Sequence, residues 1–244
     1  MDDHADAARY ARTAGDVLLA LRDDDARPPW ALGDAGDATA NRHLIDLIEA
    51  EHPGDRILSE ESADDPLRLD AHRVWIIDPL DGTREYTEPG RSDWAVHVAL
   101  WELGAGLTAG AVALPALGMV LSTGEPPALP ANDGRPLRVV VSRSRAPAVA
   151  LRVAAGIDAE IAYLGSAGAK AMAVVLGHVD AYVHAGGQYE WDSAAPAVVA
   201  QFVGLHTSRL DGSPLEYNQP SPWLPDFVVC RPDLADRILA ITTQ

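Results

Sequence analysis

The sequence has one cysteine, one lysine, two phenylalanines and three methionines in 244 residues. With Cys230 alone, no disulfide can form within the chain. A disulfide-stapled scaffold is therefore excluded, and a reducing compartment fits. No His/Cys spacing suggests a zinc site. No run approaches 18 uninterrupted apolar residues, which speaks against a membrane-spanning helix. The start, Met-Asp-Asp-His, has neither the basic residues nor the apolar stretch of a signal peptide. A cytoplasmic location is expected.

Positive charge is scarce as well. Nineteen Lys and Arg stand against 36 Asp and Glu, for a formal net charge of -17. Affinity for a nucleic-acid polymer rests on neutralising phosphates with cations, so such a polymer is not an expected partner. An acidic protein that acts on anionic substrates needs a local positive centre, and bound cations supply one. Lys170, the single lysine, stands out against 18 arginines.

The chain is 48% hydrophobic, with a mean hydropathy of -0.04. That suits one large domain or two closely packed halves. Helical spacing predicts a helix over 5–22 and a second one following Asp37, with Ala40, Leu44, Leu47 and Ile48 on one face and an end near His52. Strands are expected at 57–58, 74–77, 94–101, 107–114 and 119–122, the last two forming a hairpin. The stretch 124–136 holds four prolines and two glycines and reads as the internal boundary. It divides an N-terminal half, 1–130, from a C-terminal half, 131–244, the two forming one catalytic unit. Beyond it, strands at 137–142, 161–164, 181–184 and 227–230 alternate with helices at 146–155, 170–176 and 194–203 and a terminal helix. Strands and helices mix in both halves, so the class is α/β or mixed α+β.

Chemistry concentrates where strands end. Val74 to Ile77 is an apolar run that meets Asp78, Pro79, Leu80, Asp81, Gly82 and Thr83. Carboxylates at the carboxyl end of a buried strand sit where α/β proteins bind ligands. Asp78 and Asp81 can share a cation if the Pro79-Leu80 turn folds back. Gly82 and Thr83 open a helix whose N–H groups can face an anion. Glu60 and Glu61 end another short strand. Asp192 follows Trp191 and is expected to cap a helix, with Pro196 tolerated in its first turn. If these termini converge, four or five carboxylates meet, and only protons or cations can neutralise them. Hard oxygen donors favour Mg²⁺ or Mn²⁺.

Three separated segments, Glu60-Glu61, Asp78-Pro79-Leu80-Asp81-Gly82-Thr83 and Trp191-Asp192-Ser193-Ala194-Ala195, resemble the inositol monophosphatase-like phosphatases in order and spacing. The resemblance runs from roughly the first helix to the last strand. It implies a layered α/β/α/β/α sugar-phosphatase sandwich. It implies one Mg²⁺ held by Glu60, Asp78 and the Leu80 carbonyl, a second held by Asp78, Asp81 and Asp192, a third weaker ion near Glu60, and inhibition by Li⁺. Thr83 would orient the attacking water, helped by Asp37, although the stretch Ala35-Gly36-Asp37 lacks the threonine of the family pattern. A homodimer is common in the family.

Within that family, Thr83-Arg84-Glu85-Tyr86 and Glu190-Trp191-Asp192 resemble the 3'(2'),5'-bisphosphate nucleotidases. Gly165-Ser166-Ala167-Gly168-Ala169-Lys170 resembles a stretch whose serine and lysine contact substrate phosphate, with the lysine here one residue later. The expected substrate is small and phosphorylated: 3'-phosphoadenosine 5'-phosphate, cleaved to AMP and phosphate. Gly82, Thr83, Arg84, Ser166, Lys170 and Asp192 are its expected contacts. Inositol monophosphate and fructose 1,6-bisphosphate are the alternatives on the same site. An aspartyl-phosphate enzyme of the haloacid dehalogenase type separates its two aspartates by one residue, whereas two intervene between Asp78 and Asp81. A catalytically dead regulator would have no reason to retain every carboxylate and Thr83.

Overall fold

Small and apolar residues at helical spacing build the first two elements, α1 (Asp3–Arg22) and α2 (Pro29–Glu51). The computed structural model describes residues 2–23, 27–129, 131 and 134–243. The Asp2 carboxylate accepts the His4 and Ala5 N–H groups and caps α1. α2 buries Ala40, Leu44 and Ile48 and ends at His52, as the spacing predicts. Its start differs. The helix begins at Pro29, a residue suited to the first helical position, so Asp37 lies inside it instead of ahead of it. Gly33 and Gly36 do not break the helix. They let it approach Thr83, Leu80 and Tyr86 so closely that a Cβ at either would sit 2.9 Å from those side chains.

The first sheet follows: β1 (Arg56–Ser59), β2 (Arg73–Asp81), then α3 (Thr83–Thr87), then β3 (Ala95–Glu102), β4 (Gly106–Leu114) and β5 (Met119–Ser122). Its five strands lie in sequence order. β1 and β2 are parallel and the remaining pairs antiparallel. The second half supplies β6 (Arg138–Ser142), α4 (Ala148–Ile157), β7 (Glu160–Leu164), α5 (Ala167–Val175), β8 (Ala181–Tyr189), α6 (Glu190–Val203), β9 (His206–Ser208), β10 (Trp223–Cys230) and α7 (Ala235–Thr242). The second sheet has the order β7-β6-β8-β10-β9. Positions 130, 132 and 133 of the expected boundary lie outside the described residues.

Alternation along β2 shows how the layers form. Trp75 and Ile77 join Tyr10 and Leu44 in a core against α1 and α2. Val74 and Ile76 face the other way, into a core with Met172 of α5, Val199 of α6 and Phe227 of β10. A third core, with Val139, Val153, Val183 and Ile238, lies between the second sheet and the outer pair α4 and α7. The order is α1α2, sheet, α5α6, sheet, α4α7, the layered α/β/α/β/α arrangement the resemblance implies. Among the described residues, no helix is long and apolar enough to cross a membrane.

Three local expectations are corrected. β2 runs past Ile77 to Asp81, because β3 continues to pair with it. α5 begins at Ala167, so Lys170 lies one turn into the helix. α6 begins at Glu190, with Tyr189 as its N-cap. Asp192 is therefore its third residue, and Pro196 its seventh, inside the helix. Lacking an N–H, Pro196 leaves the Asp192 carbonyl without its usual partner one turn on.

Candidate active site

In a regular strand, residues three apart point to opposite faces. Asp78 and Asp81 escape this rule through a bulge. Asp78 pairs with His97 and Asp81 with Ala95, so β2 carries one residue more than β3 between those points. Pro79, which has no N–H to give a ladder, sits in that bulge. The Leu80 N–H turns back onto Asp78 Oδ1 at 3.1 Å. Both carboxylates thereby reach one side, where α6 brings Asp192. Oxygens of Asp78, Asp81 and Asp192 lie within 4.8 Å of one another.

Each carboxylate is held differently. Asp81 receives the Ala167 and Gly168 N–H groups at the start of α5, at 3.1 and 2.6 Å. Burial pushes its pKa up. His97, Lys170 and the Gly168 N–H outweigh that, and the net shift is downward. Asp192 Oδ2 accepts the Tyr189 N–H at 2.6 Å. Burial and then the charge of Asp81 push its pKa up to about 6. Asp78 is fully buried, and burial followed by Glu60 and Asp81 raises it well above the carboxylate range. Its Oδ2 has no hydrogen-bond partner. Glu60 stands at the open rim beside Asp78. The packing around its carboxyl, then Asp192 and Asp81, push it up to about 7. The loop that carries Glu60 is stitched to α2 by Asn41, which bonds Ser59 at 2.7 Å and Ser62 at 3.1 Å.

The Thr83 hydroxyl lies 3.4 Å from Asp37 Oδ1 and 3.3 Å from the Leu80 carbonyl, so α2 and α3 bring Thr83 and Asp37 side by side. Burial, then Glu61, push Asp37 up to about 7. Gly82 caps α3. Ser166 caps α5, its hydroxyl accepting the Ala169 N–H at 2.9 Å. Lys170 is buried, and its ammonium donates to the Gly165 and Ser166 carbonyls. Burial pulls its pKa down against the pull of Asp81 and Glu85. Gly82, Ser166, Lys170, Glu60, Asp81 and Asp192 line one cavity of about 450 Å³. Arg84 is not brought to it: the side chain is 68% exposed and lies 3.4 Å from Glu88. Glu190 is not a cavity residue either. It is completely buried and accepts the Asn218 and Gln219 N–H groups at 2.6 and 2.8 Å.

The motifs do not reveal His97. It is fully buried on β3, with Nδ1 donating to the Trp191 carbonyl at 3.0 Å and Nε2 3.1 Å from Asp81 Oδ2, off the line of a good hydrogen bond. Burial pushes its pKa down, but Asp81 and the Trp191 carbonyl overcome that, and the net shift is upward. One ring thus ties Asp81 to the residue before Asp192. A polar residue inside the apolar run Ala95 to Leu100 was the available signal. Gly168 is required beside it, because a Cβ there would lie 2.1 Å from His97 Nε2. Asp93, which accepts the Gly165 N–H at 2.6 Å, and the cavity residues His184, Gln188 and Trp223 also lie outside the motifs.

The donor set consists of carboxylate oxygens with one buried, unpartnered oxygen and spare negative charge. That is the chemistry of a hard divalent cation site. Comparison with known proteins agrees with the geometry. Residues 31–243 match the model of the inositol monophosphatase family, and the chain belongs to that family. It is 52% identical, over its whole length and 94% of the relative's, to a protein of Mycobacterium leprae (strain TN) named 3'-phosphoadenosine 5'-phosphate phosphatase. It is 30% identical, over 91% of its length and 96% of the relative's, to the 3'(2'),5'-bisphosphate nucleotidase CysQ of Escherichia coli O157:H7. The solved inositol monophosphatase-II of Staphylococcus aureus MSSA476 superposes with a TM-score of 0.81 at 22% identity, covering 95% of this chain and 91% of that one, which bears on the fold alone.

Proposed function

We propose that the protein is a Mg²⁺-dependent phosphatase that removes the 3'-phosphate from 3'-phosphoadenosine 5'-phosphate, leaving AMP and inorganic phosphate. The observation that carries the reaction type is the convergence of Asp78, Asp81 and Asp192, with Asp78 Oδ2 buried and unpartnered. The choice of substrate is supported by the likeness to the M. leprae and E. coli proteins.

Glu60, Asp78, Asp81, Asp192 and the Leu80 carbonyl would hold two or three Mg²⁺ ions, with Mn²⁺ as a substitute. When bound, such ions neutralise charge on the phosphoryl oxygens and on the leaving oxygen, and lower the pKa of water. Thr83 and Asp37 position the attacking water. Asp37, poised at about 7, accepts a proton near neutral pH. The first turn of α5 and His97 hold Asp81 in place. Water attacks directly, since the spacing of Asp78 and Asp81 is not that of a nucleophile and its acid partner. The 1–130 and 131–244 halves act as one catalytic unit, because the site draws Asp78 and Asp81 from the first and Asp192 from the second. A cytoplasmic homodimer fits this reading, and sedimentation would test the dimer.

Phosphate release by the purified protein decides the matter. With Mg²⁺, 3'-phosphoadenosine 5'-phosphate should show a higher kcat/KM than inositol 1-phosphate or fructose 1,6-bisphosphate. Li⁺ should inhibit at concentrations where Na⁺ does little. A reversed substrate order overturns the nucleotidase reading, and full turnover in EDTA overturns the metal mechanism. Single-turnover hydrolysis in ¹⁸O-water should label phosphate only. A trapped phospho-Asp78 would instead indicate a covalent mechanism.

A further inference from the structure

The cavity that holds the carboxylates also holds a large aromatic side chain with no place in any of the three cores. Trp223 opens β10 and pairs in register with Tyr189, the residue ahead of α6. It lines the same cavity as Glu60, Asp81 and Asp192. It is 51% exposed, whereas Trp75 and Trp94 are completely buried.

The ring is not loosely placed. Gly187 has φ of +93°, and a Cβ there would lie 2.8 Å from Trp223 Nε1 and 3.3 Å from two further ring atoms. One edge of the indole therefore rests on bare backbone, a seat that any side chain at 187 would fill. The seat is pinned, because the Gly187 carbonyl lies 2.9 Å from His184 Nε2. Among the described residues, Trp223 Nε1 has no hydrogen-bond partner. The result is a preset aromatic face in a cavity of about 450 Å³, within the range of ligand pockets and larger than a phosphate group needs.

We propose that Trp223 is the platform on which the nucleobase of the substrate stacks, and so the residue that separates a nucleoside bisphosphate from an inositol or sugar phosphate. The proposal rests on the nucleotidase reading above. In a chain of net charge -17, an added cation is not the only way to gain affinity for a nucleotide. A neutral π-face attracts a purine without attracting every anion. Stacking on substrate and transition state alike is uniform binding, which appears in KM.

The test compares wild type, Trp223→Ala and Trp223→Phe on two substrates. One is 3'-phosphoadenosine 5'-phosphate, and the other is the methyl glycoside of ribose 3,5-bisphosphate, which has no base. Trp223→Ala should raise KM for the nucleotide roughly 10-fold or more, the scale of one base–aromatic stack, with little change in kcat. KM for the base-free substrate should move far less. Trp223→Phe should restore the nucleotide KM. AMP should quench tryptophan fluorescence in the wild type but much less in Trp223→Phe, despite the retained KM. Equal KM changes on both substrates, or none on either, overturn the platform while leaving the nucleotidase reading intact. A wild-type protein that turns over inositol 1-phosphate but not the nucleotide overturns both.

Discussion

Two groups of acidic side chains in this protein have nearly the same local geometry and opposite chemistry. Near the start of α1, Asp3, Asp6 and His52 offer ligand atoms within 4.8 Å of one another, just as Asp78, Asp81 and Asp192 do. Around the first group stand two arginines. Arg9 bonds Asp6 and Glu51 at 2.5 Å, and Arg73 bonds Asp3 at 2.7 Å, Asp55 at 3.0 Å and Glu102 at 2.9 Å. The arginine hydrogen bonds pull Asp3 and Glu51 below their ordinary pKa values. Among the described residues, no arginine forms an ion pair with Asp78, Asp81 or Asp192; Arg143 near the cavity is taken by Glu85 and Glu88. His97, Lys170 and two helix N-termini relieve Asp81 and Asp192 in part, while Asp78 and Glu60 stay strained upward. The distance between carboxylates does not mark a metal site, whereas uncompensated charge does. The first group ties α1, α2 and the first sheet together, and the second has the charge to hold a cation.

The sharpest test of that contrast is a pair of substitutions. Asp78→Asn should reduce kcat/KM by about 10³-fold or more, the scale of losing transition-state electrostatic stabilisation. Asp3→Asn should leave kcat/KM within about twofold, since a partly exposed ion pair is worth about 0–1 kcal/mol of stability and nothing in turnover. Steady-state kinetics and thermal unfolding on both variants check this, and comparable losses of activity would end the distinction.

A smaller effect is expected one layer out. Gly168→Ala drives a Cβ against His97 Nε2 and displaces the N–H that holds Asp81. Activity should fall roughly 10- to 100-fold with weaker Mg²⁺ dependence, the usual cost of disturbing the support of a ligand. A Mg²⁺ titration of activity that matches the wild type would refute the supporting role of this contact.

The pH dependence of stability should separate the groups next. Asp37, Glu60 and Asp192 have pKa values raised to about 7, about 7 and about 6. The folded state therefore holds more protons than the unfolded state between about pH 4 and 7, and metal-free stability should fall as pH rises through that window. Saturating Mg²⁺ replaces the protons and should flatten the slope. Asp3 and Glu51, lowered, act the other way: their contribution is present above the unfolded carboxylate values and is lost in acid below about 4. Thermal melts from pH 4 to 8, with and without Mg²⁺, read both. A metal-free protein most stable at pH 8 would contradict the charge imbalance assigned to the second group.

Lys170→Ala should have the smallest effect on chemistry. Its ammonium closes onto the Gly165 and Ser166 carbonyls, so its loss loosens the loop that presents Ser166. A rise in KM for the bisphosphate larger than that for inositol 1-phosphate would add a phosphate contact to this structural role.

Much of the site was legible in the chain because its residues cluster in motifs. The run from Val74 to Thr83 carries a strand, its acidic end and a helix start within a few residues, and local chemistry decides all three. Asp37 was legible as a site residue but not as part of a helix interior, because the apolar spacing starts only at Ala40, while the earlier turns bury Gly33 and Gly36 against Thr83, Leu80 and Tyr86. Asp192 reads as a cap from its neighbours, yet the helix begins at Glu190, whose carboxylate is taken by the 218–219 backbone 28 and 29 residues away. Arg84 illustrates the opposite error. Its motif suits a substrate contact, but its place on a short helix turns it to solvent.

By itself, the sequence determined the element types, the apolar run that buries both faces of β2, and which carboxylates end the strands, since these depend on periodicity and local spacing. Only the tertiary structure decided the rest. The bulge at Pro79 is defined by pairing with β3, and it alone brings Asp78 and Asp81 to one side. His97, the α5 N-terminus and Trp223 enter the site from strands and helices far apart in the chain. Which acidic group is neutralised depends on where Arg9 and Arg73 come to rest, and Coulomb interactions act over distance in space and are indifferent to separation along the sequence.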